Sequence, residues 1–474
     1  MIDKRLFYID GAWVDPLVPN DFDVIDPATE EACAVISLGS DADVDKAVAA
    51  AHSAFAGWAD TPWTERRDLF VKLGEIMDAR IGELAEATMM EMGAPIDLAN
   101  EEQATCGPWH LKGFLKAIED FEWEQNFKPG QNIIREPIGV CGLITPWNWP
   151  VNQIALKVVP ALLTGCTCVL KPSEIAPLSG LVFAEFMHEA GFPKGVFNLI
   201  NGDGATVGEA MSRHPDIDMM SFTGSTRAGA LVTKGSADTV KRVTLELGGK
   251  SPNIIFADAD IERQVTNGVN PCMEYTGQSC NAPTRMIVAQ DVYEDVISIA
   301  KTAAENVAVG NPRETGGHIG PLVSQMQYDK VQNLIEIAIK EGARLVTGGL
   351  GRPEGFNRGY FVRPTVFADV APDMTLFREE VFGPVLAITP FDGSEDEAVR
   401  LGNDTVYGLA AYLSTSDADK GDRVARRLRA GMVRVNGKGF GRGHPFGGYR
   451  QSGNGREGGM WGLEDFTEIK IISQ

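Results

Sequence analysis

Val140-Cys-Gly-Leu-Ile-Thr-Pro-Trp-Asn-Trp-Pro150 runs from an unbroken apolar stretch of strand length into a turn of prolines and tryptophans around one asparagine. The same rhythm continues downstream. Short apolar runs at residues 166–171, 196–200, 219–223 and 242–245 read as strands, and helical spacing fills the gaps at 152–163, 177–190, 206–212 and 225–235. Near-continuous apolar strands alternating with helices predict a parallel sheet of βαβ units, buried on both faces. Ligands of such sheets bind beyond the carboxyl ends of the strands, where Asn148 and residues 171–174 fall.

Working outward, residues 248–436 read as a second α/β unit, with strands at 253–256, 284–288, 344–347, 386–391 and 432–435. Upstream, residues 7–13 and 21–26 alternate like edge strands. Helical spacing covers 41–56, a long stretch from Thr64 past Leu84, and 101–121, before a strand at 131–136. The tail, 466–472, alternates cleanly with little chain left to pair with it, and such an edge is an aggregation hazard unless covered.

A chain of 474 residues is too long for one core, so two or three domains are expected. The net charge of −22 disfavours nucleic acid and anionic membrane as partners. The longest apolar stretch, 154–170, is interrupted by Lys157 and two threonines, and the first residues lack the apolar core of a signal peptide. Seven scattered cysteines, with no Cys-x-x-Cys, fit reduced thiols and a cytoplasmic location. Six scattered histidines form no metal-binding pair, so no metal is expected.

Cys280, in Gly277-Gln-Ser-Cys280, is a candidate nucleophile or an inert packed thiol on its own evidence. Gly202-Asp-Gly204-Ala-Thr-Val-Gly208 fails as a dinucleotide fingerprint, because Val207 stands where the third glycine belongs. Taken together and in order, however, Thr145-Pro-Trp-Asn-Trp-Pro150, Glu246-Leu-Gly-Gly-Lys250, Gly277-Gln-Ser-Cys280 and Glu379-Glu-Val-Phe-Gly-Pro384 resemble the signature set of the aldehyde dehydrogenase superfamily, over about Gly11 to Ile472.

That resemblance implies two Rossmann-like α/β domains plus a small β element that joins subunits into a homodimer or homotetramer. Residues 1–118 and 138–247 would form the NAD-binding domain, 248–450 the catalytic domain, and 119–137 with 460–474 the oligomerisation element. It implies NAD, with NADP as an alternative, held by Ile144, Thr145, Pro146, Trp147, Lys171, Ser173, Glu174, Gly204, Phe222, Thr223, Gly224, Ser225, Glu246, Leu247, Gly248, Glu380 and Phe382. Lys171 and Glu174, three apart after a strand, suit a ribose, and the carboxylate there would repel an additional phosphate. Ser225, opening a helix, suits pyrophosphate.

An aldehyde has no good hydride to give until a nucleophile has added to it. The resemblance makes Cys280 that nucleophile, with an ordinary thiol value of about 8.5 leaving some thiolate near neutrality. It makes Asn148 and the Cys280 amide the oxyanion donors and Glu246 the base for thioester hydrolysis, with Glu457 as a proton relay and Lys157 nearby. Coenzyme A-acylating relatives typically lack the Glu246 carboxylate, so water is the expected acyl acceptor. The alternatives are an acylating dehydrogenase, a non-catalytic binding or structural protein of the same fold, and a cysteine hydrolase. By family position Trp149, Gln153, Leu156, Glu274, Ser279, Asn281, Phe440 and Phe446 line the substrate tunnel, with Arg442 and His444 at its mouth or in solvent. Glu274 departs from the apolar residue usual at its place, and a neutral aliphatic or aromatic aldehyde is the expected substrate.

Overall fold

The strand Val140–Ile144 sits at the centre of an eight-stranded sheet in the computed structural model, which describes all 474 residues. Thr167–Lys171 and Phe197–Leu199 extend the sheet on one side; Met219–Thr223 and Arg242–Glu246 extend it on the other. These five strands are parallel and almost wholly buried, which is why each reads as a continuous apolar run. Chain order reverses between Val140–Ile144 and Met219–Thr223, creating a topological switch point. Phe7–Ile9 and Ala12–Val14 close one edge as a hairpin.

A second sheet has seven strands, six of them parallel, with Pro252–Ile255 between Arg285–Ala289 and Ala410–Ser414. The α/β expectation therefore holds, although the strands Glu31–Ser37, Thr365–Ala368 and Ala410–Ser414 are additions to it. The long helix expected from Thr64 is two helices, Trp63–Ala79 and Ile81–Met92, broken at Arg80.

Only five residues separate the end of Arg242–Glu246 from the start of Pro252–Ile255, so the carboxyl edge of the first sheet faces the amino edge of the second. Pro150–Thr164 leads away from that junction, with proline in its first turn, where its missing N–H is harmless. Packed against Trp63–Ala79, Cys106–Glu119 and Leu178–Ala190, this helix is buried along nearly its whole length. Arg285, fully buried at the start of its strand, donates to the carbonyls of Leu401, Gly402 and Asp404 and lies 4.5 Å from the Phe377 ring centroid. It thereby anchors the strand that follows Cys280 to the end of the helix Glu395–Asn403.

The tail does find a partner within its own chain. Thr467–Ser473 pairs antiparallel with Gln131–Pro137 over seven residues, and Glu124–Lys128 completes a three-stranded sheet. Its outer strand still exposes Ile469 and Ile471, with Phe127 exposed on the far strand. No helix is long and apolar enough to cross a membrane.

Candidate active site

Four carboxyl ends of the first sheet stand in a row: Glu246, Thr223, Ile144–Thr145 and Lys171. The strands of Thr145 and Thr223 are neighbours at the switch point, with Ile144 opposite Phe222. Both threonine hydroxyls are buried without a hydrogen-bond partner, and an orphaned buried hydroxyl is costly unless a ligand engages it. Lys171 is buried, its ammonium donating to Pro172 O at 3.0 Å and lying 3.4 Å from Glu174. Burial lowers its pKa, an effect that Glu174 opposes. Ser225 caps the helix Thr226–Ser236, accepting from the Ala228 amide, and Gly204 is exposed nearby in sequence to the buried Gly208.

Across the junction, Glu380 accepts from the Gly249 amide at 2.8 Å. A Cβ on Gly248 would overlap the Glu380 carboxylate, so a larger residue there would displace that carboxylate from the Gly249 amide. Burial raises the Glu380 pKa, while the Gly249 hydrogen bond lowers it. The Phe382 ring meets Trp147 edge to face, centroids 5.4 Å apart, bringing the Pro-Trp-Asn-Trp-Pro turn and the Glu-Val-Phe-Gly-Pro turn together. Ile144, Thr145, Phe222 and Leu247 are buried at this end of the sheet, with two unpartnered threonine hydroxyls among them and the Trp147–Phe382 pair across the junction.

Cys280 ends a turn with unusual backbone: Tyr275, Thr276 and Gly277 all have left-handed φ of 53°, 57° and 69°. Side chains disfavour that region, so the turn must be held from outside. The Thr276 hydroxyl donates to Gly320 O, while the Gln278 amide donates to Tyr275 O and accepts from the Val323 amide. A Cβ on Gly277 would overlap the Gly383 carbonyl, which packs this turn directly on the Glu380–Phe382 segment. Asn148 is buried, and its Nδ2 donates to Gln278 O at 2.9 Å, leaving a second amide hydrogen beside the Cys280 loop.

Cys280 is partly buried in an apolar cluster with Leu409, Ala410, Met432, Tyr412, Phe440 and Phe446. Two of the expected tunnel residues, Phe440 and Phe446, pack on the same cluster as Cys280. Trp149 donates to Ser279 Oγ at 3.1 Å, and Ser279 Oγ donates to Asn281 Oδ1 at 2.9 Å, so three more share one chain of contacts. Gln153 and Leu156 lie buried on the helix that Trp149 opens. Glu274 stands at the outer end, next to Tyr275, whose ring packs on Trp149 with centroids 4.0 Å apart. More than a third of Glu274 is exposed, so the partial enclosure that pushes its carboxyl up to about 7, helped by Glu102, acts against strong solvent screening. Arg442 stacks on Trp109 and His444 on Phe440.

The expectation of ready thiolate at Cys280 is not met. Burial, then the charges of Glu380 and Glu246, push the thiol well above its ordinary range, so ionisation needs a proton acceptor at hand. Glu246 is 2% exposed, and neither carboxylate oxygen has a partner. Burial first and the charge of Glu457 second raise its pKa far above the usual carboxylate range, against the pull of Lys157 and Arg456. Lys157 is fully buried, with its ammonium 2.6 Å from Glu457 Oε1 and donating to Ser221 Oγ at 3.1 Å. A lone lysine in an apolar helix is thereby explained by a buried ion pair. Glu457 itself is fixed by a two-way backbone bridge to Phe446, both bonds 2.8 Å.

Sequence reasoning overlooked Ser221, Tyr412, Glu102 and Gln103. Tyr412 donates to the Asn281 carbonyl at 2.8 Å. Glu102 and Gln103 sit in a polar helical stretch that reads as a solvated face, and only long-range contacts bring them here.

The profile of the aldehyde dehydrogenase family matches residues 13–472. The chain is 50% identical over 473 residues to the 3-succinoylsemialdehyde-pyridine dehydrogenase of a Pseudomonas species, covering 100% of this chain and 99% of that one. Among solved structures, an aldehyde dehydrogenase of Bartonella henselae shares 56% identity over 100% of both chains, with a TM-score of 0.98. A mutant aldehyde dehydrogenase C of Pseudomonas syringae, complexed with NAD+ and octanal, shares 49% identity over 99% of this chain and 96% of that one, with a TM-score of 0.98.

Proposed function

This chain belongs to the aldehyde dehydrogenase family, and from that premise we propose that it oxidises a neutral aldehyde to the carboxylic acid with NAD, through a Cys280 thioester that water cleaves. The observation that carries this reading is the convergence of Cys280, Asn148 and a partnerless buried Glu246 where the two sheets meet.

In this reading the Cys280 sulfur adds to the aldehyde carbon, and its proton passes to water, so that this step does not require Glu246. The free hydrogen of Asn148 Nδ2 and the Cys280 amide hold the oxygen that becomes negative. Removing such a donor typically costs about 10²- to 10³-fold in rate. Bound NAD supplies the acceptor for the hydride that leaves the tetrahedral carbon. Thr145, Thr223, Lys171, Glu174, Ser225, Glu380 and Phe382 are the residues that would hold it. Glu246 then takes a proton from water attacking the thioester, and the Glu457–Lys157 pair carries that proton away.

NAD as cofactor draws support from the NAD+ complex of the 49%-identical relative. Glu174 beside Lys171 disfavours the extra phosphate of NADP. The decisive assay is NADH formation from NAD and a panel of aldehydes without coenzyme A, for which steady turnover is expected. Dependence on coenzyme A would place the enzyme in the acylating branch instead.

The Glu274 carboxyl beside the Trp149–Tyr275 pair supports a neutral aldehyde over an anionic one, although Arg442 opposes it if it lines the mouth. The octanal bound by one relative and the pyridine in the name of another are consistent with that reading. Glu274→Gln is expected to raise kcat/KM for succinate semialdehyde by about 2- to 5-fold relative to octanal, the worth of one exposed charge. The gain should be larger at pH 8 than at pH 6, because the Glu274 carboxyl titrates at about 7. A wild-type enzyme that prefers succinate semialdehyde would refute the substrate class.

The exposed Ile469, Ile471 and Phe127 on the three-stranded sheet support its use in joining subunits, as a homodimer or homotetramer. Seven free thiols and a net charge of −22 support a reducing, cytoplasmic setting without nucleic-acid or membrane partners.

A further inference from the structure

Between the short helix Ile96–Leu98 and the helix Cys106–Glu119 the chain makes one π-helical turn, Ala99–Gln103, closed by the Ala104 amide on the Ala99 carbonyl at 2.9 Å. Such turns are rare and gather at functional sites. Consecutive side chains on an α-helix diverge by about 100°. A wider turn narrows that divergence, and here two consecutive side chains reach the two halves of the active site.

Gln103 is fully buried, and its Nε2 donates to the backbone carbonyl of Asn148 at 3.1 Å. Its own Oε1 has no partner. A buried amide that leaves one end unsatisfied is more costly than a leucine filling the same room, and what the amide supplies in exchange is the donation to Asn148, beside a weak contact to Met92 Sδ at 3.6 Å. Glu102 accepts from the Tyr275 hydroxyl at 2.9 Å. Tyr275 is the first of the three left-handed residues leading to Cys280, and its ring lies on Trp149, the residue after Asn148. One turn of helix therefore holds the Asn148 loop by its carbonyl and the Cys280 loop by its strained leading residue.

We propose that Glu102 and Gln103 are positioning residues, a clamp that sets the separation between the Asn148 amide and the Cys280 loop and so sizes the oxyanion site. Neither touches the reacting atoms. The proposal rests on the oxyanion role given to Asn148 above. A misplacement of about 1 Å in such a site costs on the order of 10²-fold.

The test uses the full-length enzyme with Gln103→Leu, Glu102→Ala, Glu102→Gln and Asn148→Ala, and the double variant of Gln103→Leu with Asn148→Ala. Four quantities are read: kcat and KM for NADH formation, hydrolysis of p-nitrophenyl acetate without cofactor, the rate of Cys280 alkylation by iodoacetamide, and Tm. The ester reaction shares the thiol and the oxyanion site, whereas alkylation needs no oxyanion donor. Gln103→Leu and Glu102→Ala should lower kcat by about 10- to 100-fold in both turnover assays. KM, alkylation and Tm should stay close to wild type. Glu102→Gln, which keeps an acceptor for Tyr275, should recover most of the loss. In the Asn148→Ala background Gln103→Leu should cost little more, since the donor it aligns is already gone. Additive losses would overturn the clamp, as would alkylation and Tm falling in step with kcat. A collapse with Asn148→Ala but none with the Glu102 and Gln103 variants would overturn the clamp alone. Full activity in Asn148→Ala would overturn the oxyanion reading beneath it.

Discussion

Cys280→Ala should form no NADH from any aldehyde, a loss of more than about 10⁴-fold in kcat, while still folding and binding NAD. No other thiol can substitute. Cys141, Cys166, Cys168 and Cys272 are fully buried. Cys33 donates to the Val24 carbonyl and Cys106 to the Gln103 carbonyl, both away from the Phe440–Phe446 cluster around Cys280. Cys280→Ser should fare little better. Burial and two carboxylates already raise the thiol far above neutrality, and a hydroxyl starts several units higher still. The alanine change removes one partly buried sulfur and no hydrogen bond, so Tm should shift by only a few degrees. NADH formation is read at saturating NAD with octanal, and NAD binding by quenching of tryptophan fluorescence. Turnover above 1% of wild type, an arbitrary limit of about 10⁻² against the expected loss, would remove Cys280 from the nucleophile's role.

What the sequence could disclose follows the range over which each feature is determined. The strands Val140–Ile144, Thr167–Lys171 and Met219–Thr223 are legible because burial on both faces leaves no polar alternation. The Thr145–Pro150 turn is legible because proline and tryptophan restrict it locally. The left-handed Tyr275 and Thr276 are not, since aromatic and β-branched residues give no warning of positive φ. Nor does the tail reveal its partner, 334 residues away at Glu136 for Lys470. The charge state of Cys280 is hidden from the sequence for a similar reason. The ordinary thiol value takes no account of Glu380, which lies 100 positions along the chain and reaches the site only because Gly277 packs on Gly383. Lys157 stands between these cases: its sequence context showed that it must point at something, and the fold shows Glu457 and Ser221.

Glu246→Gln should separate the two halves of the reaction. Thioester formation does not need a base for water, so one equivalent of NADH per active site should appear in a burst. Steady turnover should then fall by about 10²- to 10⁴-fold, the usual worth of a general base. The glutamine is nearly isosteric and removes a charge whose oxygens have no partner, so the fold should tolerate it. The wild-type pH profile carries the same information. Glu246 acts as a base only when ionised, and burial with the Glu457 charge raises its pKa. Hydrolysis should therefore increase with pH well above the ordinary carboxylate range, to a plateau once Glu246 has lost its proton. Glu457→Gln removes the neighbouring negative charge and leaves Lys157 unneutralised, and both changes favour ionised Glu246. The rising limb should move to lower pH, even as loss of the relay lowers its plateau. Rapid-mixing measurements of the NADH burst across pH 5 to 10, a span of about five units around neutrality, check both expectations. If Glu246→Gln turns over linearly at the wild-type rate without a burst, the water is activated by another group. If the Glu457→Gln limb moves to higher pH, Glu457 does not face Glu246 as a negative charge, and the buried pair with Lys157 serves packing alone.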